Sequence, residues 1–190
     1  HLGGEPVEGD ELGAGAQVRR CIAESNGAHG IVVGNIGAGA VDSASSVEDS
    51  EMRGNQANGL ILFNGDARRN RIVANRQIGV LASGVGQISE NHIEFNGDPS
   101  LPIAFIGGIA TSPVVPGGQL RIVDNLIFAS GGDNVRIERA GNVIERNSIG
   151  GDGRTDHGLR ITVAGNVYSG NRLTGHVTAD VTSAAGNTDG

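Results

Sequence analysis

"ISENHIEFN", residues 88–96, sets Ile88 and Ile93 five positions apart, with Asn91 between them and a second amide, Asn96, closing the segment. A helix repeats its apolar positions at three and four residues and a half-buried strand at two, so this spacing belongs to neither taken alone. The same phrase recurs along the chain: "VRRCIA" at 18–23, "VEDSEM" at 47–52, "ARRNRI" at 67–72, "IVDNLI" at 122–127, "IERNSI" at 144–149 and "YSGNRL" at 168–173. Repeats of this kind decide the architecture before any local propensity does. The central column of the phrase reads Cys21, Ser50, Asn70, Asn91, Asn125, Asn147 and Asn171. Five positions later a second column reads Asn26, Asn55, Asn75, Asn96, Ser130, Asp152 and His176. A short apolar run then follows: "GIVV" at 30–33, "GLIL" at 59–62, "GVLA" at 79–82, "AFIG" at 104–107, "NVRI" at 134–137, "GLRI" at 158–161 and "DVTS" at 180–183.

Short strands, turns rich in Gly and Asn, and a unit of about 20 to 24 residues point to a solenoid of β-coils. The fold expected is all-β, a right-handed parallel β-helix of about seven coils. It forms one domain whose repeats run from about 16 to 187, after a lead-in at 1–15. Stacking buries two aliphatic rows that no coil buries alone. One is Val18, Val47, Ala67, Ile88, Ile122, Ile144 and Tyr168; the other is Ala23, Met52, Ile72, Ile93, Ile127, Ile149 and Leu173. Asn suits the corners because it tolerates left-handed backbone and its amide can bond from coil to coil. The columns Ser50, Asn70, Asn91, Asn125, Asn147 and Asn171, and Asn26, Asn55, Asn75 and Asn96, are therefore read as structural.

On "ISENHIEFN" and "IERNSIGGDG" the chain resembles right-handed parallel β-helix proteins of the pectate-lyase-like class, with Asn-bearing repeats of the carbohydrate-binding and sugar-hydrolysing kind. The resemblance covers roughly residues 16–187. It implies the fold; activity does not follow, because this fold carries lyases, hydrolases, epimerases and adhesins alike.

Bulk properties narrow the rest. With 33 Gly and only 3% aromatic residues in 190, the core must be built from Val, Ile, Leu and Ala. A net charge of −7 opposes a nucleic-acid partner. All 14 basic residues are Arg, so no Lys-based chemistry is available. The single Cys21 leaves the redox compartment open. No apolar run is long enough to span a membrane, and a start at His1 reads as a mature or excised product. In register, Arg19, Glu48 and Arg68 form one outward column and Arg20, Asp49, Arg69, Glu90, Asp124 and Arg146 the next. Arg68, Arg69 and Arg71 are thus one rung of a charge-compensated wall, where an isolated reading would make them an anion site.

The repeat breaks in two ways. Long loops are expected at 34–46 and 108–118, with a smaller insertion, "GDPSLP", at 97–102; between them they can wall a shallow groove. On the strands after the second column, Val32, Ile61, Phe63, Leu81 and Ile106 are expected to face outward as an apolar stripe, giving way to Arg136, Arg160 and Thr182. Such a stripe commonly marks a protein contact.

Catalytic signals are sparse. "DGRTD" spaces Asp152 and Asp156 as two calcium ligands without the remaining oxygen donors. "DHGLRI" bears a partial likeness to elements of polygalacturonases, which puts forward Asp156, His157 and Arg160; the acid–base pair of Asp residues such hydrolases use is missing. No His forms a metal motif. No cofactor is required by these residues, calcium being the ion the resemblance would bring. The function expected on balance is an extracellular structural or adhesive protein, non-catalytic, that self-assembles or binds a protein partner. The alternative is a polysaccharide-acting lyase, hydrolase or epimerase, or a glycan-binding module without catalysis.

Overall fold

The chain's computed structural model describes residues 11–12, 15–34, 45–112, 118–153 and 155–190. Each coil gives one short strand to each of three sheets, and every strand pairs in parallel with its equivalent one coil away. The protein is a parallel β-helix. Among the described residues sheet 1 has eight strands: Glu11–Leu12, Ile31–Gly34, Leu60–Phe63, Ile78–Ser83, Gly107–Thr111, Asp133–Ile137, His157–Ile161 and Ala179–Ser183. Sheet 2 has eight, from Gln17–Arg19 to Thr188–Asp189, and sheet 3 has seven, from Ile22–Glu24 to Arg172–Thr174. No helix is long and apolar enough to cross a membrane among the described residues.

The strands are short because the coil must turn three times, and the alternation of side chains sends one residue in two inward. Val47, Ala67, Ile88, Ile122 and Ile144 form one inner row and Met52, Ile72, Ile93, Ile127 and Ile149 another, all at most 1% exposed. Sheet 1 adds Leu60, Val80, Ile109, Val135 and Leu159. Between sheets 2 and 3 the corner residue is left-handed in coil after coil: Arg20, Asp49, Arg69, Glu90, Asp124 and Arg146 have φ of 52–57°. The Asn column follows that corner immediately. Asn70 shows the bonding: its Nδ2 donates to the Val47 carbonyl below at 2.8 Å and to Asn91 Oδ1 above at 3.0 Å, while its backbone N–H donates to the same Oδ1 at 2.9 Å. The pattern continues through Asn91, Asn125, Asn147 and Asn171. A second ladder links Asn55, Asn75 and Asn96. A third, which the sequence reading did not register, links Asn142, Asn166 and Asn187.

The outer wall of sheets 2 and 3 is charge-paired. Arg69 meets Asp49 at 2.8 Å and Glu48 at 3.2 Å, Arg146 meets Asp124 at 2.8 Å, and Arg71 bridges Glu51 and Glu94. The hydrogen bond from Arg69 holds the Asp49 carboxyl below its ordinary range, as Arg146 does for Asp124.

Three expectations need correction. The run "AFIG" at 104–107 is not a strand: Pro102, with φ of −57°, leads into a 3-10 turn over Ile103–Phe105, and the sheet 1 strand is Gly107–Thr111. Ile109 and Thr111 fill the inner positions, so the segment expected as a long loop from 108 begins four residues later. The lead-in likewise holds a strand, Glu11–Leu12. Ile106 is not on the outward stripe either; it is 5% exposed and packs over Gly97 and Gly132, and Ala110 pairs with Leu81 in its place. Of the rest of that stripe, Ile61 is buried and Val32, Phe63 and Leu81 are half-buried, so no wide apolar face stands open. The groove expected between the long loops falls mainly on residues 35–44 and 113–117, outside the described residues.

Candidate functional site

Beyond Ala110 the outer face of sheet 1 becomes polar, and here side chains from two successive strands converge. Asp133 opens the strand Asp133–Ile137, and its carboxylate is fully buried. One coil on, His157 and Arg160 lie on the strand His157–Ile161. His157 Nδ1 is 2.8 Å from Asp133 Oδ1, and Arg160 Nη1 is 3.5 Å from Oδ2. A carboxylate only accepts, so Nδ1 carries the proton and donates it. Nε2 has no protein partner among the described residues. The His157 side chain is 15% exposed and that of Arg160 37%, so both are reachable while the anion that orients them is not.

The side of this cluster toward the N-terminal coils is walled by residues 98–106. Arg136, paired with Arg160 in register, is almost wholly covered, its Nη1 donating to the Ile103 carbonyl at 2.8 Å and its Nη2 to that of Ala104 at 2.7 Å. Its Nε lies 3.3 Å from Glu138. Sequential strands thus supply a buried anion, an oriented imidazole, one half-exposed guanidinium and one that clamps the wall. Next to them, the buried side chain of His176 meets Asp180 through Nδ1 at 2.6 Å and Asn134 through Nε2 at 3.2 Å, which ties it into the scaffold.

Of the residues singled out in the sequence, His157 and Arg160 come together. Asp156 does not join them: its backbone N–H bonds to the Gly132 carbonyl at 2.8 Å, and its half-buried carboxylate has no partner among the described residues. Asp152 is exposed on the turn before it. Among the described residues no three His, Cys, Asp or Glu side chains group to hold a metal. Asp152 and Asp156 by themselves do not make up the oxygen set a calcium ion takes. Asp133 was missed because "GGDN" reads as a turn. Its offset of 24 residues from His157, one repeat, was the signal available.

No family model matches the chain, and no curated protein does. Among solved structures it is similar to the crystal structure of an alginate lyase from Paenibacillus sp. str. FPU-7, with a TM-score of 0.57 and 16% identity over 85% of this chain and 67% of that one. At that identity the likeness shows the fold. The leading functional expectation, a non-catalytic structural or adhesive protein, is corrected on the same finding: the solved structure is that of an alginate lyase, which accords with the alternative reading.

Proposed function

We propose that this chain is a polysaccharide-acting enzyme and that the outer face of sheet 1 around Asp133, His157 and Arg160 is its working surface. The observation that carries this reading is the buried Asp133 carboxylate holding both His157 and Arg160 toward solvent. A buried carboxylate is costly unless it is paired, and His157 and Arg160 pair this one; an imidazole oriented through Nδ1 with Nε2 unpartnered is the arrangement a general base requires. The chemistry that suits it is elimination from a uronic acid unit. Nε2 takes the proton next to the carboxylate, the electron pair forms a carbon–carbon double bond, and the glycosidic oxygen at the neighbouring carbon departs and takes a proton from water. Arg160 offsets the charge that gathers on the carboxylate as the proton leaves. An extracellular location accords with this reading, since such polymers do not cross membranes.

The test is a cleavage assay on alginate, polygalacturonate and a neutral xylan, following the ultraviolet absorbance of the conjugated double bond. Cleavage of an acidic polymer is expected, and His157→Ala should lower the rate by about 10²- to 10⁴-fold with the far-ultraviolet circular dichroism unchanged. Binding of acidic polymer without cleavage would replace catalysis with a glycan-holding role. Neither binding nor cleavage of any of the three would overturn the reading.

A further inference from the structure

On sheet 3 and the corner that follows it, two aromatic rings stand in solvent. Phe95 is 49% exposed and Phe128 37%, and they meet edge to face with centroids 6.1 Å apart. Neither position is an accident of surface composition. Phe95 occupies a left-handed corner, φ of 53°, whose equivalents in other coils are Ser25, Gly54, Ala74 and Ala129. Where those equivalents are small, Phe95 puts a large apolar ring on the corner. Phe128 leans over the next coil onto Gly150, where a Cβ would come within 2.6 Å of the ring, so the seat exists only because residue 150 is glycine.

Polar groups continue the same strip. In register above Leu126 and Phe128 come Ser148 and Gly150, then Arg172 and Thr174. Ser148, Arg172 and Thr174 are exposed, and Arg172 makes no ion pair among the described residues, whereas Arg53, Arg69, Arg71 and Arg146 on the same wall all do. From Phe128 to Arg172 is two coil spacings, roughly 10 Å, a reach of about two sugar rings.

We infer that this strip of sheet 3 is a docking shelf for an acidic polysaccharide, one pyranose ring lying on the face that one ring of the Phe95–Phe128 pair presents and the carboxylate of the next meeting Arg172. The C–H bonds on the flat side of a pyranose carry slight positive charge and face the negative π-cloud of that ring. The unmatched guanidinium selects an anionic chain over a neutral one, and the hydroxyls of Ser148 and Thr174 accept and donate to those of the sugar. The choice of ligand rests on the polysaccharide reading above; the surface itself is separate from the His157 cluster.

Fluorescein-labelled hexamers of guluronate, of galacturonate and of neutral cello-oligosaccharide, titrated by anisotropy, test the shelf. Wild-type protein should prefer an acidic hexamer. Phe128→Ala should weaken binding by about tenfold, and Phe95→Gly, which relieves the backbone while removing the ring, should also weaken it, so that a folding defect is not the cause. Arg172→Gln should cost about tenfold for the acidic hexamer and leave the cello-hexamer unchanged. If wild type binds an acidic hexamer and all three variants bind it equally well, the shelf is wrong while the polysaccharide reading stands. If wild type binds none of the hexamers the shelf is wrong, and the polymer cleavage assay alone then decides the polysaccharide reading. Light scattering that finds a dimer which Phe128→Ala dissolves would give the surface to a second copy and overturn the assignment.

Discussion

One amide shows how this fold is held. Asn91 Oδ1 accepts from both the backbone and the side chain of Asn70, and its Nδ2 reaches down to the Ala67 carbonyl and up to Asn125. All of these groups are buried, so Asn91→Ala strands at least two of them at about 1 to 3 kcal/mol each. A loss of about 3 to 5 kcal/mol in urea unfolding is expected, large for a single substitution. Asn26, half-buried and bonded through its backbone N–H to Asn55 and its backbone carbonyl to Gln56, with no side-chain bond among the described residues, should cost far less when replaced by Ala. The amide columns at Asn70, Asn91 and Asn125 were legible because each sits at a fixed place in a phrase with apolar residues on both sides. Asn142, Asn166 and Asn187 sit in a phrase of their own, "AGN" at 140–142, 164–166 and 185–187, which was passed over because only the last three coils carry it. Asp133 was hidden differently: its role is set by a partner on the next coil, and pairings across a repeat emerge only once the register is fixed.

Among elements, the sheet 1 strand of the fourth coil is where the reading slipped. "AFIG" and "GGIAT" both satisfy a strand pattern, and what decides between them is Arg136, a buried cation on another coil that captures the carbonyls of Ile103 and Ala104. Arg136→Ala should therefore release residues 98–106 before it unfolds anything else, seen as faster limited proteolysis in that segment and a lower Tm. The turn carrying His29 responds to acid in the same direction as the acid-paired wall, but in a higher pH range. Burial pushes the His29 imidazole below its ordinary pKa, and its Nδ1 accepts from the Asn58 N–H at 3.2 Å. The unfolded chain binds that proton more readily, so the stability this group confers is present above about pH 6.5 and is lost as the pH falls through the depressed folded value. His29→Asn, which keeps an acceptor without titrating, should flatten that part of the stability curve relative to wild type in denaturant unfolding followed across pH.

For the molecule as a whole, each coil packs mainly on the coils beside it, so protection follows local packing. Strands Gly107–Thr111 and Asp133–Ile137 are buried at every residue, whereas Ala179–Ser183 is exposed at four positions of five and Thr188–Asp189 at both. Hydrogen exchange on this chain should be slowest in those two central strands and fastest in the last two; uniform protection would mean that the coils unfold as one unit. The ladders carry a further implication. Asn70 and Asn91 bond across 21 residues, Asn91 and Asn125 across 34, with the same 3.0 Å between the amides. Sequence length and axial height are therefore uncoupled at the corners: a gene that gains a dozen codons there lengthens a loop yet shifts no other side chain along the rod. Variation can rewrite what this surface grasps while the spacing of everything above and below stays as it was.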